Sequence, residues 1–193
     1  MASDESPQTF KHSDKETDTF LQNVEKLNVD SSYYLTVLAG ENQSAKDSFF
    51  KKVKQKFGDQ LKVIDLRTVV STVEEESYKK IDEMIANLGE KKYVWINHGD
   101  ELDGVYTGFS SSVRRYATPQ EKYLIRHITS TEKIYFLSLQ DRHTVTNFLR
   151  RHTQTLITFD YPESLLGRLK QITLNGSSFS SNRQAVTPSS TDL

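Results

Sequence analysis

The stretch YYLTVLAGENQSAKDSFFKKVKQKF, residues 33–57, decides the fold, because it holds a strand, a sharp turn and a helix in succession. Residues Tyr33–Leu38 are almost continuously apolar or β-branched, which predicts a strand covered on both faces. From Ala45 to Phe57, apolar side chains recur at helical spacing. These are Phe49, Phe50, Val53 and Phe57. A strand that passes through Gly40 directly into an amphipathic helix is typical of α/β proteins.

The same alternation continues along the chain. Further apolar runs predict strands at Leu61–Leu66, Tyr93–Asn97, Ile134–Leu139 and Thr155–Asp160. Amphipathic stretches predict helices at Val73–Leu88, from the Thr118-Pro119 pair onward, at Thr144–His152 and at Pro162–Ile172. Strands that alternate with helices and connect by right-handed crossovers predict a three-layer sandwich around a five-stranded, mainly parallel sheet.

The length of 193 residues fits one folded domain with polar ends. Residues 1–14 are polar and mixed in charge, so we expect a flexible leader. The domain is predicted to span residues 15–172, beginning with a short helix at Glu16–Leu27. Residues 173–193 are rich in serine and threonine, which predicts a flexible tail.

Composition excludes several kinds of chemistry. The chain has no cysteine, which excludes disulfides, thiolate metal sites and cysteine nucleophiles. Its five histidines lie far apart without a zinc-binding spacing, so no metal site is predicted. No apolar run approaches the roughly 18 residues that a bilayer span needs. We therefore expect a cytoplasmic protein that does not contact membranes.

The turn after the first strand has the position of a phosphate-binding loop. In the pattern G-x-x-x-x-G-K-[ST], backbone N–H groups surround the phosphates, the lysine reaches the outer phosphates and a hydroxyl holds magnesium. Gly40 and Lys46 stand at the required spacing, with Ser44 between them, but Ala45 replaces the second glycine and Asp47 replaces the hydroxyl. The added methyl group and the negative charge both weaken nucleotide binding.

The third strand and the residues after it resemble a second nucleotide-site motif. The run Tyr93–Asn97 followed by His98-Gly99-Asp100-Glu101 is similar to the Asp-Glu region of AAA+ ATPases. In the ungapped match, Asn97 stands at the magnesium-orienting aspartate and His98 at the glutamate that activates water. A shifted match makes Asp100 and Glu101 the catalytic pair, provided that the strand continues through His98-Gly99. An acidic turn at a strand end is the structural alternative.

Two later segments extend the resemblance to about residues 33–172. Gln140, or Ser138, stands where AAA+ proteins carry a polar sensor of the γ-phosphate. Arg150 and Arg151 stand where the family places arginine fingers, which reach the nucleotide of a neighbouring subunit. The alternative is that both arginines complement the dipole at a helix end. We expect the family's helical lid to be absent, because the 21 residues 173–193 are too few to form it.

The resemblance implies an AAA+-like fold whose ATPase machinery has decayed and which serves protein–protein interaction or assembly, with a protein partner or as a homo-oligomer. ATP or ADP with magnesium are the ligands that the family implies, at reduced affinity here. On this interpretation the chain is not an enzyme. The alternative is an active or nucleotide-switching ATPase that uses Asp47 with the Asp100-Glu101 pair, in which case it is an ATP hydrolase.

A nucleic-acid-binding module is the second alternative. Basic side chains that can contact phosphates are interleaved with aromatic side chains on which bases can stack. The residues are Arg114, Arg115, Lys122, Arg126, Arg150 and Arg151, with Tyr106, Phe109, Tyr116 and Tyr123. The near-neutral net charge of −1 counts against this function.

Overall fold

A computed structural model describes residues 7–30, 32–103 and 116–161. The chain divides into a unit of residues 1–160 and a unit of residues 161–193, so the predicted boundary after residue 172 falls twelve residues later than the division. All elements below belong to the first unit. The predicted helix Pro162–Ile172, the tail, and the nucleic-acid candidates Tyr106, Phe109, Arg114 and Arg115 lie outside the described residues.

The described chain alternates strands and helices. The strands are β1 (Gln8–Lys11), β2 (Tyr34–Ala39), β3 (Leu61–Asp65), β4 (Tyr93–Asn97), β5 (Ile134–Leu139) and β6 (Thr155–Thr158). The α-helices are α1 (Asp14–Glu25), α2 (Gln43–Phe57), α3 (Glu74–Ala86), α4 (Pro119–Thr129) and α5 (Asn147–His152). None of the helices in the described ranges is long and apolar enough to cross a bilayer.

The strands form one parallel sheet in the order β1-β6-β2-β5-β4-β3. The central strand β2 is hydrogen-bonded to β5 on one side and to β6 on the other. The α/β class and the parallel sheet are therefore confirmed, and the five predicted strands are all present within a residue or two of their predicted bounds.

The predicted number of five strands is wrong, because β1 adds a sixth inside the predicted flexible leader. It pairs in parallel with β6, from Gln8 opposite Thr155 to Lys11 opposite Thr158. As an edge strand, it needs little apolar content of its own. Phe10 alone is half-buried, 5.7 Å from the Phe20 ring of α1. The ladder and this contact order the segment, although its composition is polar.

Helices cover both faces of the sheet and make the predicted three layers. On one face, Phe49 of α2 and Phe20 of α1 pack against sheet residues such as Phe136. On the other, Ile81 of α3, Leu124 of α4 and Leu149 of α5 surround the opposite side chains of the same strands. Helix α4 begins at the predicted pair, since Thr118 caps it and Pro119 occupies its first turn.

The ends of β2 and β6 approach closely at Gly40. This glycine has a φ of +136°, and a Cβ at its position would lie 2.4 Å from the carbonyl oxygen of Phe159. On either side of it, the Phe159 N–H donates to the Ala39 carbonyl and the Asn42 N–H donates to the Phe159 carbonyl. Position 40 therefore requires glycine for both its conformation and its lack of a side chain.

We expect Gly40→Ala to lower the free energy of unfolding by roughly 3 kcal/mol or more, since it adds a backbone clash to an unfavourable φ. Gly89→Ala is the matched control, because Gly89 also has a positive φ of +55° but open space around it. It should cost only about 1 kcal/mol. Urea unfolding of both variants measures the difference, and equal losses would contradict the close approach.

Candidate functional site

A cleft of about 720 Å³ opens at the carboxyl ends of β2, β4 and β5. Strands β2 and β5 are neighbours, but the helices that follow them, α2 and α5, lie on opposite faces of the sheet. Such a point is where open α/β sheets usually bind ligands. The described residues that line the cleft are Glu41, Gln43, Lys46, Asp47, Phe50, Trp95, Asn97, His98, Ser138 and Gln140.

The loop between β2 and α2 is shorter than predicted. The helix begins at Gln43 instead of Ala45, which leaves three loop residues, Gly40 to Asn42. The reason is the cap: the buried side chain of Asn42 accepts a hydrogen bond from the Ala45 N–H at 3.2 Å. The amide that a phosphate-binding loop would present at position 45 is thus committed to the protein's own side chain.

Lys46 lines the cleft but its ammonium is used inside the protein. Its side chain is 2% exposed, and Nζ donates to the carbonyl oxygen of Leu139 at the end of β5, at 2.9 Å. Burial lowers the pKa of this ammonium, while the nearby Asp100 and Asp47 carboxylates oppose the shift. Lys46 therefore joins α2 to β5.

Two carboxylates stand at the exposed start of α2. Glu41 and Asp47 are exposed and line the cleft, and the side-chain amide of Gln43 donates to Asp47 Oδ1 at 2.8 Å. Ser44 and Ala45 lie in the first turn of the helix and, among described residues, are not part of the lining. This rim is negatively charged, as expected from the sequence at position 47.

The end of β4 directs two polar side chains to the cleft. Asn97 Oδ1 accepts a hydrogen bond from the indole N–H of Trp95 at 2.6 Å. His98 follows with a φ of +57°, an uncommon conformation for a residue other than glycine. Its Nδ1 lies 2.9 Å from Oδ1 of Asp65, the last residue of β3. Parallel strands end at one edge, which is why Asp65 and His98 meet.

Arg67 determines which nitrogen of His98 carries the proton, because it keeps Asp65 ionised. The guanidinium of Arg67 binds both oxygens of Asp65, and its side-chain hydrogen bonds hold the pKa of that carboxyl well below the usual range. An ionised carboxylate only accepts hydrogen bonds, so His98 Nδ1 carries the proton. In the neutral imidazole, Nε2 is then an acceptor.

Asp100 and Glu101 occupy a short 3-10 helix, Gly99–Asp103, beyond the end of β4. Asp100 accepts from the Gln140 N–H at 2.6 Å and from Thr144 Oγ1 at 3.2 Å. These bonds tie the loop after β4 to the loop after β5. Because β4 ends at Asn97, the strand extension that the shifted match required is absent from this part of the described chain.

The remaining candidates divide between the cleft and the surface. Gln140 and Ser138 line the cleft. Arg150 and Arg151 lie exposed in the last turn of α5, outside the lining. This is the position in which cations complement a helix dipole. The geometry does not bring them to the cleft of their own chain.

Tyr123, one of the two described aromatic residues of the nucleic-acid hypothesis, is held by contacts within the protein. The Tyr123 hydroxyl donates to Asp82 at 2.9 Å, and its ring lies 4.3 Å from the ring of Tyr78. It belongs to the contact between α3 and α4. Tyr116, in contrast, is 70% exposed.

The sequence did not single out Asn42, Asp65 and Arg67, which hold the site in place, or the lining residues Glu41, Gln43, Phe50 and Trp95. A signal for the first was present, since asparagine is a preferred helix cap. Asp65 lies near the end of the predicted strand Leu61–Leu66, so its place near the carboxyl edge was readable. The pairing with His98 required the strand order. No group of three or more histidine or acidic side chains able to hold a metal occurs among the residues described.

The sequence matches no protein-family model and no curated protein. It is similar in structure to a chain in the solved "Structure of E. coli MS115-1 HORMA:CdnC:Trip13 complex", with a TM-score of 0.51. The similarity covers 88% of this chain and 69% of that chain, at 12% sequence identity. At so low an identity, the likeness is one of α/β fold and transfers no site residue.

The buried ammonium of Lys46 predicts a pH dependence of stability. Because its folded-state pKa lies below the ordinary 10.5, the unfolded chain binds the proton more tightly. Relative to Lys46→Met, the wild-type free energy of unfolding should rise as pH is raised towards 10.5 and then level off. Urea unfolding between pH 7 and 11 measures this difference.

Lys51→Met, which removes an exposed ammonium from the same helix, is the matched control. A difference between wild type and Lys46→Met that falls with pH would mean that the ammonium is stabilised in the folded chain. That result would contradict the burial described above.

Proposed function

We propose that this chain is an AAA+-like α/β domain without ATPase activity, which acts in protein–protein interaction or assembly. The observation that carries this proposal is the hydrogen bond from the Lys46 ammonium to the Leu139 carbonyl inside the protein. A phosphate-binding lysine must present its ammonium to the outer phosphates. Here the ammonium is 2.9 Å from the Leu139 carbonyl and the side chain is buried.

The residues around Lys46 fit a magnesium nucleotide poorly. Phosphate-binding loops offer several convergent N–H groups from a glycine-rich turn. The Asn42 cap takes the Ala45 N–H, and the Asn42 N–H itself donates to Phe159. The rim carries Glu41 and Asp47, which repel phosphate. These residues therefore do not support hydrolysis of a bound nucleotide.

The residues at the catalytic positions of the ungapped match also favour an inactive domain. Asn97 has no charge to offer a magnesium ion, and its Oδ1 already accepts from Trp95. His98 is engaged by Asp65 through Nδ1. In the shifted match, Asp100 is committed to Gln140 and Thr144. These contacts hold the loops after β4 and β5 in place, so the side chains have a structural role that needs no catalytic one.

Two observations favour an assembly role. The structurally similar chain is part of a complex of three components, HORMA, CdnC and Trip13. On this chain, Arg150 and Arg151 stand exposed at the end of α5, where a second protein can reach them. The occupant of such a surface is a protein partner or a second copy of this chain.

Calorimetry with ATP, with and without magnesium, tests the nucleotide side of the proposal. We expect no magnesium-dependent binding, and no turnover approaching the roughly 1–1,000 per second of ordinary enzymes. Magnesium-dependent affinity together with turnover that Lys46→Ala abolishes would establish the ATPase alternative and overturn the proposal.

The assembly side is tested on the full chain, tagged and isolated from its native source. Native mass spectrometry should find it in a complex larger than the 22.2 kDa monomer, and treatment with apyrase should leave that complex intact. A chain found solely as a monomer would contradict an assembly role. Dissociation on removal of ATP would instead support a nucleotide-switched assembly.

A further inference from the structure

The cleft at the carboxyl edge is rich in hydrogen-bond acceptors and poor in available cations. Of its described lining residues, Lys46 is the one lysine or arginine, and its ammonium donates to Leu139 inside the protein. Glu41 and Asp47 face solvent at the rim. An anionic ligand is repelled by this arrangement and a cationic one is attracted.

His98 adds an acceptor whose orientation is fixed. Arg67 keeps Asp65 ionised, and Asp65 keeps the proton of the imidazole on Nδ1, at 2.9 Å. The ring lines the cleft with its Nε2 free to accept a hydrogen bond when the imidazole is neutral. The left-handed backbone at His98 is part of what positions the ring.

Ser138 points independently to a ligand. Its residue is 9% exposed, it lines the cleft, and its hydroxyl has no hydrogen-bond partner among the residues described. The oxygen itself is open to the cleft, because among the described residues Thr36 Oγ1 is the enclosed side-chain oxygen without a partner. A hydroxyl of this kind at the wall of a cleft is suited to a group that enters from outside.

The apolar part of the cleft is aromatic. Phe50 and Trp95 both line it, with their ring centroids 4.8 Å apart. Phe50 is half-buried and Trp95 is 2% exposed, so the Phe50 ring is the one that an entering group can contact. Planar guanidinium groups stack on aromatic faces and donate hydrogen bonds from their edges, whereas a lysine ammonium is a compact, strongly hydrated charge. An accessible Phe50 ring in the same cleft as the Glu41 and Asp47 carboxylates therefore favours arginine.

From these observations we propose that the cleft receives an arginine side chain of a partner protein. The guanidinium lies near Phe50 and Trp95 and donates to acceptors among Ser138, His98, Glu41 and Asp47. This inference rests on the proposed interaction function and gives that function a recognition site. The occupant carries a positive charge, opposite to that of the nucleotide which the fold resemblance implies.

The test uses N-acetyl-arginine methylamide as the probe and the citrulline analogue as its uncharged counterpart. Trp95 is the sole tryptophan of the chain, so its indole N–H signal and its fluorescence report on the cleft directly. We expect a saturable shift of the indole signal with the arginine probe at millimolar concentration. The citrulline analogue should bind at least about fivefold more weakly.

Two variants locate the contacts. Glu41→Gln with Asp47→Asn should weaken binding of the arginine probe about fivefold, because both rim charges are removed. Ser138→Ala should weaken it while preserving the shape of the wall. The matched control is Glu90→Gln with Glu132→Gln, two exposed carboxylates at the amino-terminal side of β4 and β5. It removes the same charge and should leave the affinity unchanged.

The outcomes separate the two levels of the proposal. Equal binding of arginine and citrulline probes, or no saturable shift with either, overturns the arginine site and leaves the assembly function to its own test. If both double variants weaken binding of the arginine probe equally, the loss is due to net charge alone, and this result also overturns the arginine site. Displacement of the arginine probe by magnesium ATP at micromolar concentration would overturn both proposals together.

Discussion

The contact between Gly40 and the backbone of Phe159 constrains the rest of the site. Because β2 and β6 meet there without room for a Cβ, the chain leaving β2 is held against β6 by the Asn42 N–H and its acceptor, the Phe159 carbonyl. That leaves Asn42 in position to cap α2, which starts at Gln43. Lys46 is then carried to the floor of the cleft, within reach of the Leu139 carbonyl.

The position of Lys46 determines the electrostatics of the whole cleft. The Lys46 ammonium keeps its charge, but the nearby carboxylates of Asp47 and Asp100 oppose it. The carboxylates of Glu41 and Asp47 then determine the electrostatic field at the mouth of the cleft. His98 and Ser138 supply hydrogen-bond acceptors on its wall. A spacing typical of phosphate binding thus occurs beside a rim that carries two carboxylates.

Much of the fold was readable from the sequence. Buried parallel strands are continuous apolar runs, so Tyr93–Asn97 and Ile134–Leu139 were predicted at the bounds that the structure has. The edge strand β1 was not readable, because its order comes from the ladder with β6 and one contact of Phe10. The polar composition of this segment therefore led to the wrong prediction that it belongs to a flexible leader.

The site was only partly predictable, for a different reason. The spacing of Gly40 and Lys46 correctly indicated a loop at the carboxyl edge, and Asn97, His98, Ser138 and Gln140 all reach the same cleft. What the ammonium binds depends on a carbonyl 93 residues away, at Leu139, and the tautomer of His98 depends on Asp65, 33 residues earlier. Such pairings arise from strand order and register, which a local pattern does not contain.

The central claim is that the Lys46 ammonium is occupied by the protein and unavailable to phosphate. A crystal structure of the full chain grown in millimolar ADP and magnesium tests it most directly. We expect helix α2 to start at Gln43, Lys46 Nζ to lie within hydrogen-bond distance of the Leu139 carbonyl, and no nucleotide to occupy the cleft. A structure in which Lys46 has left Leu139 for the β-phosphate, with the amides of residues 41–45 turned towards it, would contradict the account.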